Sequence, residues 1–235
     1  MLPDTRLAAT GLVAGQADAS PAAAPPASTM TPDTASDGAS RLREALRVET
    51  DRDHRELDAF LGEIWTSRER YAAYLAMNHS AHATLEPVIE EAVAEAPELG
   101  PYAPARFALS QDLAALGMRL PPSIPLRADA PRDPASAIGF LYVVEGSRLG
   151  ARMLHRHVLD ASWARPVGTI PTAFFETARG SSNFSRRMAA LEPLMREEDA
   201  FERALSSARE GFRLFRAAAE RAYRTPDASP SGTDR

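Results

Sequence analysis

Three glycines stand inside a segment, Ile138–Leu154, that otherwise has the composition of a long helix. Gly139, Gly146 and Gly150 are separated by seven and four residues, so they lie on one face of that helix. Each glycine inside a helix costs about 1 kcal/mol relative to alanine. A bare face lets a large, flat ligand approach the backbone, or lets a second helix pack closely. The stability cost of Gly146 and Gly150, one turn apart, favours the ligand, whereas packing is the better explanation for Gly139.

His54 is the second candidate for chemistry, because a neutral imidazole is a common metal ligand. It lies on an apolar helical stripe between Thr50 and Leu57, and Asp58 follows it by one turn. The Asp58 carboxylate could hydrogen-bond the second ring nitrogen of a metal-bound imidazole. Arg47, two turns earlier, could reach a carboxylate at the edge of a planar ligand. The alternatives are a hydrogen-bonded core histidine and an arginine on a solvated helix face.

Composition limits the possible function classes. The chain has 235 residues, 44% of them hydrophobic, which suits one domain, predicted at residues 39–224, between disordered tails at 1–38 and 225–235. The net charge of −5 gives no support to nucleic-acid binding. The sequence has no apolar run of about eighteen residues and no convincing signal peptide, so we expect a cytoplasmic protein without a membrane span. The absence of cysteine excludes disulfides, thiolate metal sites and cysteine nucleophiles.

The periodicity of the apolar residues is helical throughout the predicted domain, and no segment alternates as a strand would. We therefore predict a single all-α bundle. Ser67 and Asp133 are the expected N-caps of two helices, and Pro87 should kink or split the helix that contains it. His155 and His157 are expected at the surface. The predicted helices cover about residues 39–64, 67–96, 105–116, 133–159, 171–180 and 196–224.

Two segments, taken together, carry a resemblance to a known family. Thr50–Asp58 reads T-D-R-D-H-R-E-L-D and Phe140–Ala151 reads F-L-Y-V-V-E-G-S-R-L-G-A. They are similar to the proximal and distal helices of haem oxygenases, and most closely to the bacterial branch found with bacteriophytochromes. The combination of T-x-x-x-H with E-G-S-x-L-G is fairly specific, and the resemblance extends over about Arg41–Tyr223. It implies a haem-oxygenase-like helical bundle.

The resemblance implies an activity as well as a fold. Haem, both cofactor and substrate, would lie between the first helix and the glycine helix, with His54 as the axial iron ligand. Gly146 and Gly150 would leave room for dioxygen on the opposite side. The products would be biliverdin, carbon monoxide and ferrous iron. Electrons would come from a ferredoxin or a flavoprotein reductase, and a bacteriophytochrome is a candidate receiver of the biliverdin.

Further residues receive roles from the same resemblance. Arg47 is carried over by position as a partner of a haem propionate, and Arg186 and Arg187 are candidates on the far side. Phe212 on the last helix is a candidate wall of the haem site, although aromatic residues at such spacing are usual in a core. Ser147 stands where animal-type enzymes have an aspartate. Proton delivery is therefore expected to differ from theirs, with Ser147 as the candidate.

Two other functions remain open from the sequence. A haem-binding or haem-sensing protein of the same fold, without turnover, would need the same histidine and the same glycine face. A di-iron oxygenase of that fold would instead need inward-facing carboxylates and histidines from several helices, without the glycines. The candidate iron ligands would be His79, His82, Glu86 and Glu145, which do not by themselves form a full set.

Overall fold

The structure, a computed structural model, describes residues 40–130, 132–164, 170–178, 184–197 and 199–224. The predicted tails, residues 1–38 and 225–235, lie outside these ranges. Within them the chain is all-α and contains no strand, as the sequence predicts. The α-helices are α1 Arg41–Glu49, α2 Asp51–Leu61, α3 Arg68–Glu95, α4 Arg106–Ala115, α5 Pro134–Leu159, α6 Ala173–Thr177, α7 Phe184–Leu191 and α8 Ala200–Arg224. None of the described helices is long and apolar enough to cross a membrane.

The first predicted helix is two helices in the structure, α1 and α2, separated by Thr50. The buried Thr50 hydroxyl donates a hydrogen bond of 2.7 Å to the carbonyl oxygen of Leu46, one turn earlier. A threonine bonded in this way competes with the helical backbone pattern and bends the helix. The prediction was also too long at its end, because α2 stops at Leu61 and Gly62 follows with φ of 56°. Ile64 lies in a separate 3₁₀ turn.

Helix α3 begins as predicted, because the Ser67 hydroxyl accepts a hydrogen bond of 3.2 Å from the Arg70 amide. Pro87 does not split it, contrary to one of the two predicted outcomes. The Pro87 ring is exposed, whereas Leu85 and Ile89 on either side are buried. Packing of these neighbours offsets the one missing hydrogen bond, and water can reach the solvent side of the helix.

Helix α5 has the N-terminus that the sequence predicts. The Asp133 carboxylate accepts hydrogen bonds from the amides of Ala135 and Ser136, and Pro134 occupies the first turn. The short helix α6 is capped across the fold instead, by a carboxylate that lies far away in the sequence. Asp112 of α4 is buried and accepts the amides of the first two α6 residues, each at 2.8 Å.

The end of the chain contains a helix that the sequence analysis missed. The predicted break at residues 180–183 lies outside the described residues. Helix α7 follows it and passes into a 3₁₀ turn, Glu192–Arg196, which has Pro193 near its start. The last helix begins at Ala200 rather than near Arg196. Proline favours the first turn of a helical segment and cannot donate within one, so it separates α7 from α8.

Helix α8 is the centre of the bundle and packs on α5, α3 and α2. Gly139 of α5 lies against the α8 backbone, where an added Cβ would be 2.0 Å from the carbonyl oxygen of Ala204. Further along, a Cβ on Gly211 of α8 would be 3.1 Å from Val143 of α5. The chain advances from Gly139 to Val143 along α5 and from Ala204 to Gly211 along α8. The two helices therefore run in the same direction. Gly139 therefore serves close packing, as the sequence analysis expected.

Candidate functional site

His54 lies on α2 with one ring nitrogen held and the other open. Its Nδ1 is 3.0 Å from Oδ2 of Asp58, and the imidazole is 59% exposed, more than its place on an apolar stripe predicts. The hydrogen bond to Asp58 raises the pKa of His54, with burial opposing it. Nε2 has no hydrogen-bond partner among the described residues. The carboxylate thus orients the ring and leaves Nε2 as the nitrogen available to bind a metal.

Phe212 of α8 is the aromatic neighbour of this histidine. The ring centroids of His54 and Phe212 are 5.9 Å apart with the planes at 64°, and Phe212 is otherwise buried. One turn away, Arg209 of α8 is 3.5 Å from the carboxylate of Glu49, just before α2. The step from Glu49, the last residue of α1, to His54 of α2 matches the step from Arg209 to Phe212 along α8, in the same direction. Since α5 also runs with α8, the three helices are roughly parallel in this region.

The Gly146–Gly150 face of α5 is open. An added Cβ on Gly146 or Gly150 would meet nothing within 4 Å, unlike one on Gly139. Thr50 Oγ1, at the start of α2, is 3.5 Å from the hydroxyl of Tyr142 on α5. His54 and Gly146 each lie one turn beyond this contact on their own helix. The parallel course of the helices therefore puts the free imidazole nitrogen and the bare glycine face on the same stretch of the bundle.

A polar chain that is buried except at Ser147 adjoins the glycine face and was not predicted in this form. Ser147 Oγ is 2.9 Å from Nε2 of His82, on α3, and donates a 2.8 Å hydrogen bond to the carbonyl oxygen of Val144. Nδ1 of His82 is 2.8 Å from Oε1 of Glu86. His82 and Glu86 are fully buried. The signal available in the sequence was their spacing of four residues, but nothing local indicates that Ser147 completes the chain.

Glu86 collects donors from three parts of the fold. Oε1 accepts from the Tyr102 hydroxyl at 2.9 Å and from the Ala105 amide at 2.7 Å, and Oε2 accepts from the Arg106 amide at 3.0 Å. The Arg148 guanidinium on α5 is 3.3 Å from Oε1. Burial by itself would raise the pKa of Glu86. The hydrogen bond and the charge of His82, together with the hydrogen bonds from the two amides, lower it to about 2. Glu86 is therefore an ionised carboxylate at neutral pH.

The described residues contain no group of three or more histidines and carboxylates that could hold a metal ion. The candidate di-iron ligands are engaged elsewhere. His79 Nε2 is 3.1 Å from the Ser110 hydroxyl, and the carboxylate of Glu145 is 3.2 Å from Arg148. Together with the contacts of Glu86, these give the di-iron alternative no support among the described residues.

The remaining candidates differ in their surroundings. Arg47 is exposed and forms a 2.7 Å ion pair with Glu44, and Arg186 is exposed on α7. Arg187 points inward instead, where it donates to the carbonyl oxygen of Leu99 and lies near Glu145.

The two histidines at the end of α5 were expected at the surface, which is wrong for His155. Its side chain is 14% exposed and stacks on Phe175, with the ring centroids 5.2 Å apart. His157 is exposed but stacks on Trp65 at 4.6 Å. Packing of α6 and of the 3₁₀ turn at Ile64–Thr66 against α5 explains both contacts.

The fold has a counterpart among solved structures. The chain is similar to the haem oxygenase of Neisseria meningitidis described in its NO- and CO-bound forms, with a TM-score of 0.57 and 24% sequence identity. The match covers 81% of this chain and 97% of that one. No protein-family model and no curated protein matches the sequence. The protein therefore has the helical fold of haem oxygenase.

Proposed function

We propose that this protein is a haem oxygenase, which opens haem to biliverdin and releases carbon monoxide and ferrous iron. One arrangement carries the proposal. The free Nε2 of His54 and the bare face of Gly146 and Gly150 lie one turn beyond the same contact between α2 and α5. The shared fold supports it, and so does the sequence resemblance of these two helices to the proximal and distal helices of the family.

The residues present fit a haem. A histidine imidazole is an ordinary axial ligand of haem iron. The usual way to orient it is a hydrogen bond that its other ring nitrogen donates. The 3.0 Å contact between His54 and Asp58 meets that requirement. A macrocycle is planar and needs an approach free of side chains, which Gly146 and Gly150 provide. Phe212 supplies an apolar surface beside the ligand histidine.

Haem, when bound, supplies the iron that activates dioxygen. His54 would hold it through Nε2, with Asp58 fixing the ring. Arg47 would exchange its exposed ion pair with Glu44 for a propionate, which costs little because exposed ion pairs are weak. Arg186, exposed on α7, is the second candidate for a propionate.

On the side of the haem away from His54, the residues of the chain would have two roles, namely to leave space for dioxygen and to supply protons. Gly146 and Gly150 would keep side chains out of the volume that dioxygen needs. Ser147 stands next to Gly146 and holds a proton on Oγ, at present bonded to the Val144 carbonyl oxygen. We assign it the place of the aspartate in the animal-type pattern, as the candidate side-chain proton carrier.

The finer parts of the proposal concern partners. The reaction consumes electrons, which we assign to an external ferredoxin or flavoprotein reductase in the cytoplasm. A bacteriophytochrome is the proposed receiver of biliverdin, because the E-G-S-x-L-G segment with Ser147 resembles the branch that accompanies those photoreceptors.

The test mixes purified protein with hemin, a reductant and air, and follows the Soret band and biliverdin absorption together. A Soret band that decays as biliverdin and carbon monoxide appear supports the enzyme. A stable Soret band would contradict the proposed activity and support a haem-binding protein of this fold without turnover. The absence of any Soret band would contradict both the enzyme and the haem-binding protein. His79→Gln, on a buried histidine outside the site, is the matched control for His54→Ala.

A further inference from the structure

The Gly146–Gly150 face of α5 is bounded by a contact at each end. Before the glycines, the Tyr142 hydroxyl lies 3.5 Å from Oγ1 of Thr50, at the start of α2. After them, the imidazole of His157 stacks on Trp65, with the ring centroids 4.6 Å apart and the planes at 22°. A helix turns by about 100° per residue, so residues four before and eleven after Gly146 stand on the same side as the glycines. Both contacts therefore border one continuous face.

The opening between these two contacts has a defined length. His157 follows Tyr142 by fifteen residues, which is roughly 22 Å along the helix axis. An added Cβ on Gly146 or Gly150 meets nothing within 4 Å, so the space beside the glycines is clear. From Gly150 to His157 the axis advances by roughly 10 Å, which is comparable with the reach of a porphyrin from its iron to its outer substituents. The opening therefore ends where the edge of a macrocycle centred over the glycines would lie.

The 3₁₀ turn that carries Trp65 is anchored to the core. Ile64, in the same turn, is buried, and the backbone carbonyl oxygen of Trp65 accepts a 2.8 Å hydrogen bond from Nε1 of Trp163. The ring of Trp163 in turn lies 5.7 Å from the ring of Tyr71, on α3. These contacts fix the backbone of Trp65, and stacking on His157 holds its ring. The far end of the opening is therefore a fixed boundary.

The two ends of the opening differ in polarity. At the Tyr142 end, Arg47 lies close enough for its charge to act on the Tyr142 hydroxyl, and it is the proposed partner of a propionate. At the other end, two aromatic rings stand beside Met153, which is seven residues after Gly146 on the same face and 74% exposed. Apolar surface of this kind gains free energy when a ligand covers it. A planar ligand with carboxylates at one edge and hydrocarbon at the other is complementary to this arrangement.

We infer that the Trp65–His157 stack is the end wall of the cleft between α2 and α5, and that it restricts the substrate to haems with short substituents at the edge opposite the propionates. Vinyl and methyl groups end at the two rings. A haem that carries a hydroxyethylfarnesyl chain in place of one vinyl group would force the rings apart, which costs free energy as overpacking does. The wall thus adds a substrate class to the proposed function, on which the identity of the ligand rests, and its test requires binding but not turnover.

Equilibrium binding of two haems tests the wall. The probes are ferric protohaem and the ferric haem with the hydroxyethylfarnesyl chain, titrated separately into the unsubstituted protein in the same buffer and detergent and followed by the Soret band. We expect protohaem to bind more tightly by about tenfold or more, as for other ligands that exceed the size of an apolar pocket. Equal affinity for the two haems overturns the inference.

Variants of the two rings locate the effect. His157→Ala and Trp65→Ala each open the wall and should lose this preference for protohaem. His157 is exposed, so His157→Ala remains informative if Trp65→Ala fails to fold. His157→Phe puts a ring back against Trp65 and should restore the preference. The matched control is His155→Ala, which removes another stacked histidine from the same helix, one that packs on Phe175 instead, and should leave the preference unchanged.

The outcomes separate the end wall from the proposed function. Loss of the preference in His157→Ala, its return in His157→Phe and no change in His155→Ala support the wall. A preference that survives in both His157→Ala and Trp65→Ala overturns it, while the enzyme assignment stands. If protohaem binds but is not converted to biliverdin, the proposed activity fails, and the affinities for the two haems still decide whether the wall exists. If neither haem binds, the proposed function and the wall both fail.

Discussion

Adding a side chain at Gly146 should make the haem-free protein more stable and should lower the proposed rate of biliverdin formation. An ideal Cβ at Gly146 meets nothing within 4 Å, so Gly146→Ala relieves the helix of a glycine without a clash. The gain is about 1 kcal/mol in the free energy of unfolding, or roughly 2–4 °C in Tm for a domain of this size. Gly146→Leu should behave similarly in the absence of haem, because leucine is nearly as good a helix former.

The same change at Gly139 should have the opposite effect on stability. A Cβ there would lie 2.0 Å from the carbonyl oxygen of Ala204 and 2.9 Å from the amide nitrogen of Ala208, both backbone atoms of α8. Backbone cannot rotate away as a flexible side chain can, so α5 and α8 must separate. Overpacking of this kind costs about 1–3 kcal/mol, more than the helix gains from alanine. Gly139→Ala is therefore the matched control on the same helix.

Turnover should separate from stability at Gly146. The isobutyl group of Gly146→Leu enters the volume that the proposal assigns to haem and dioxygen, so biliverdin formation should fall by about tenfold or more, equivalent to about 1.4 kcal/mol in the barrier. Urea and thermal unfolding of the haem-free variants give the stabilities, and the Soret band with biliverdin absorption gives binding and turnover. Full turnover by Gly146→Leu would refute the assignment of the open face. Loss of stability equal to that of Gly139→Ala would refute the geometry.

Three further changes test other parts of the structure. His54→Ala should leave the free energy of unfolding within about 0.5 kcal/mol, because the side chain is 59% exposed, and should abolish the normal axial spectrum of bound haem; a spectrum like the parent protein's contradicts the ligand assignment. The pKa of Glu86 is about 2, against 4.5 when unperturbed, so its ionised form contributes stability above about pH 4.5 that is lost as pH falls towards 2, up to about 3 kcal/mol. Urea unfolding across that pH window should lose part of its pH dependence in Glu86→Gln, and an identical dependence argues against the shift. Asp112→Ala removes the buried carboxylate that accepts hydrogen bonds from the amides of Ala173 and Phe174 and should cost about 1–3 kcal/mol in urea unfolding, so an unchanged midpoint contradicts the capping role.

Local rules predicted much of this fold. Ser67 and Asp133 cap their helices through their own side chains, and such contacts span only two or three residues. The helical period of the apolar residues was sufficient to predict an all-α chain, and the three glycines were correctly placed on one helix. The errors have different physical causes. Thr50 interrupts the first helix, Pro87 is tolerated by packing, and the separate helix α7 was missed.

The sequence by itself supplied the candidates for the proposed haem site, namely His54 with Asp58 and the glycine pair Gly146 and Gly150. The sequence also favoured packing for Gly139, but only the tertiary structure shows the contact behind it, because α8 lies against that turn of α5 and leaves the next turns clear. It also joined His82 to Ser147, 65 residues apart, in a chain that neither helix reveals alone. Spacing along a helix is set by local geometry, whereas the partner of each face depends on how separate helices pack.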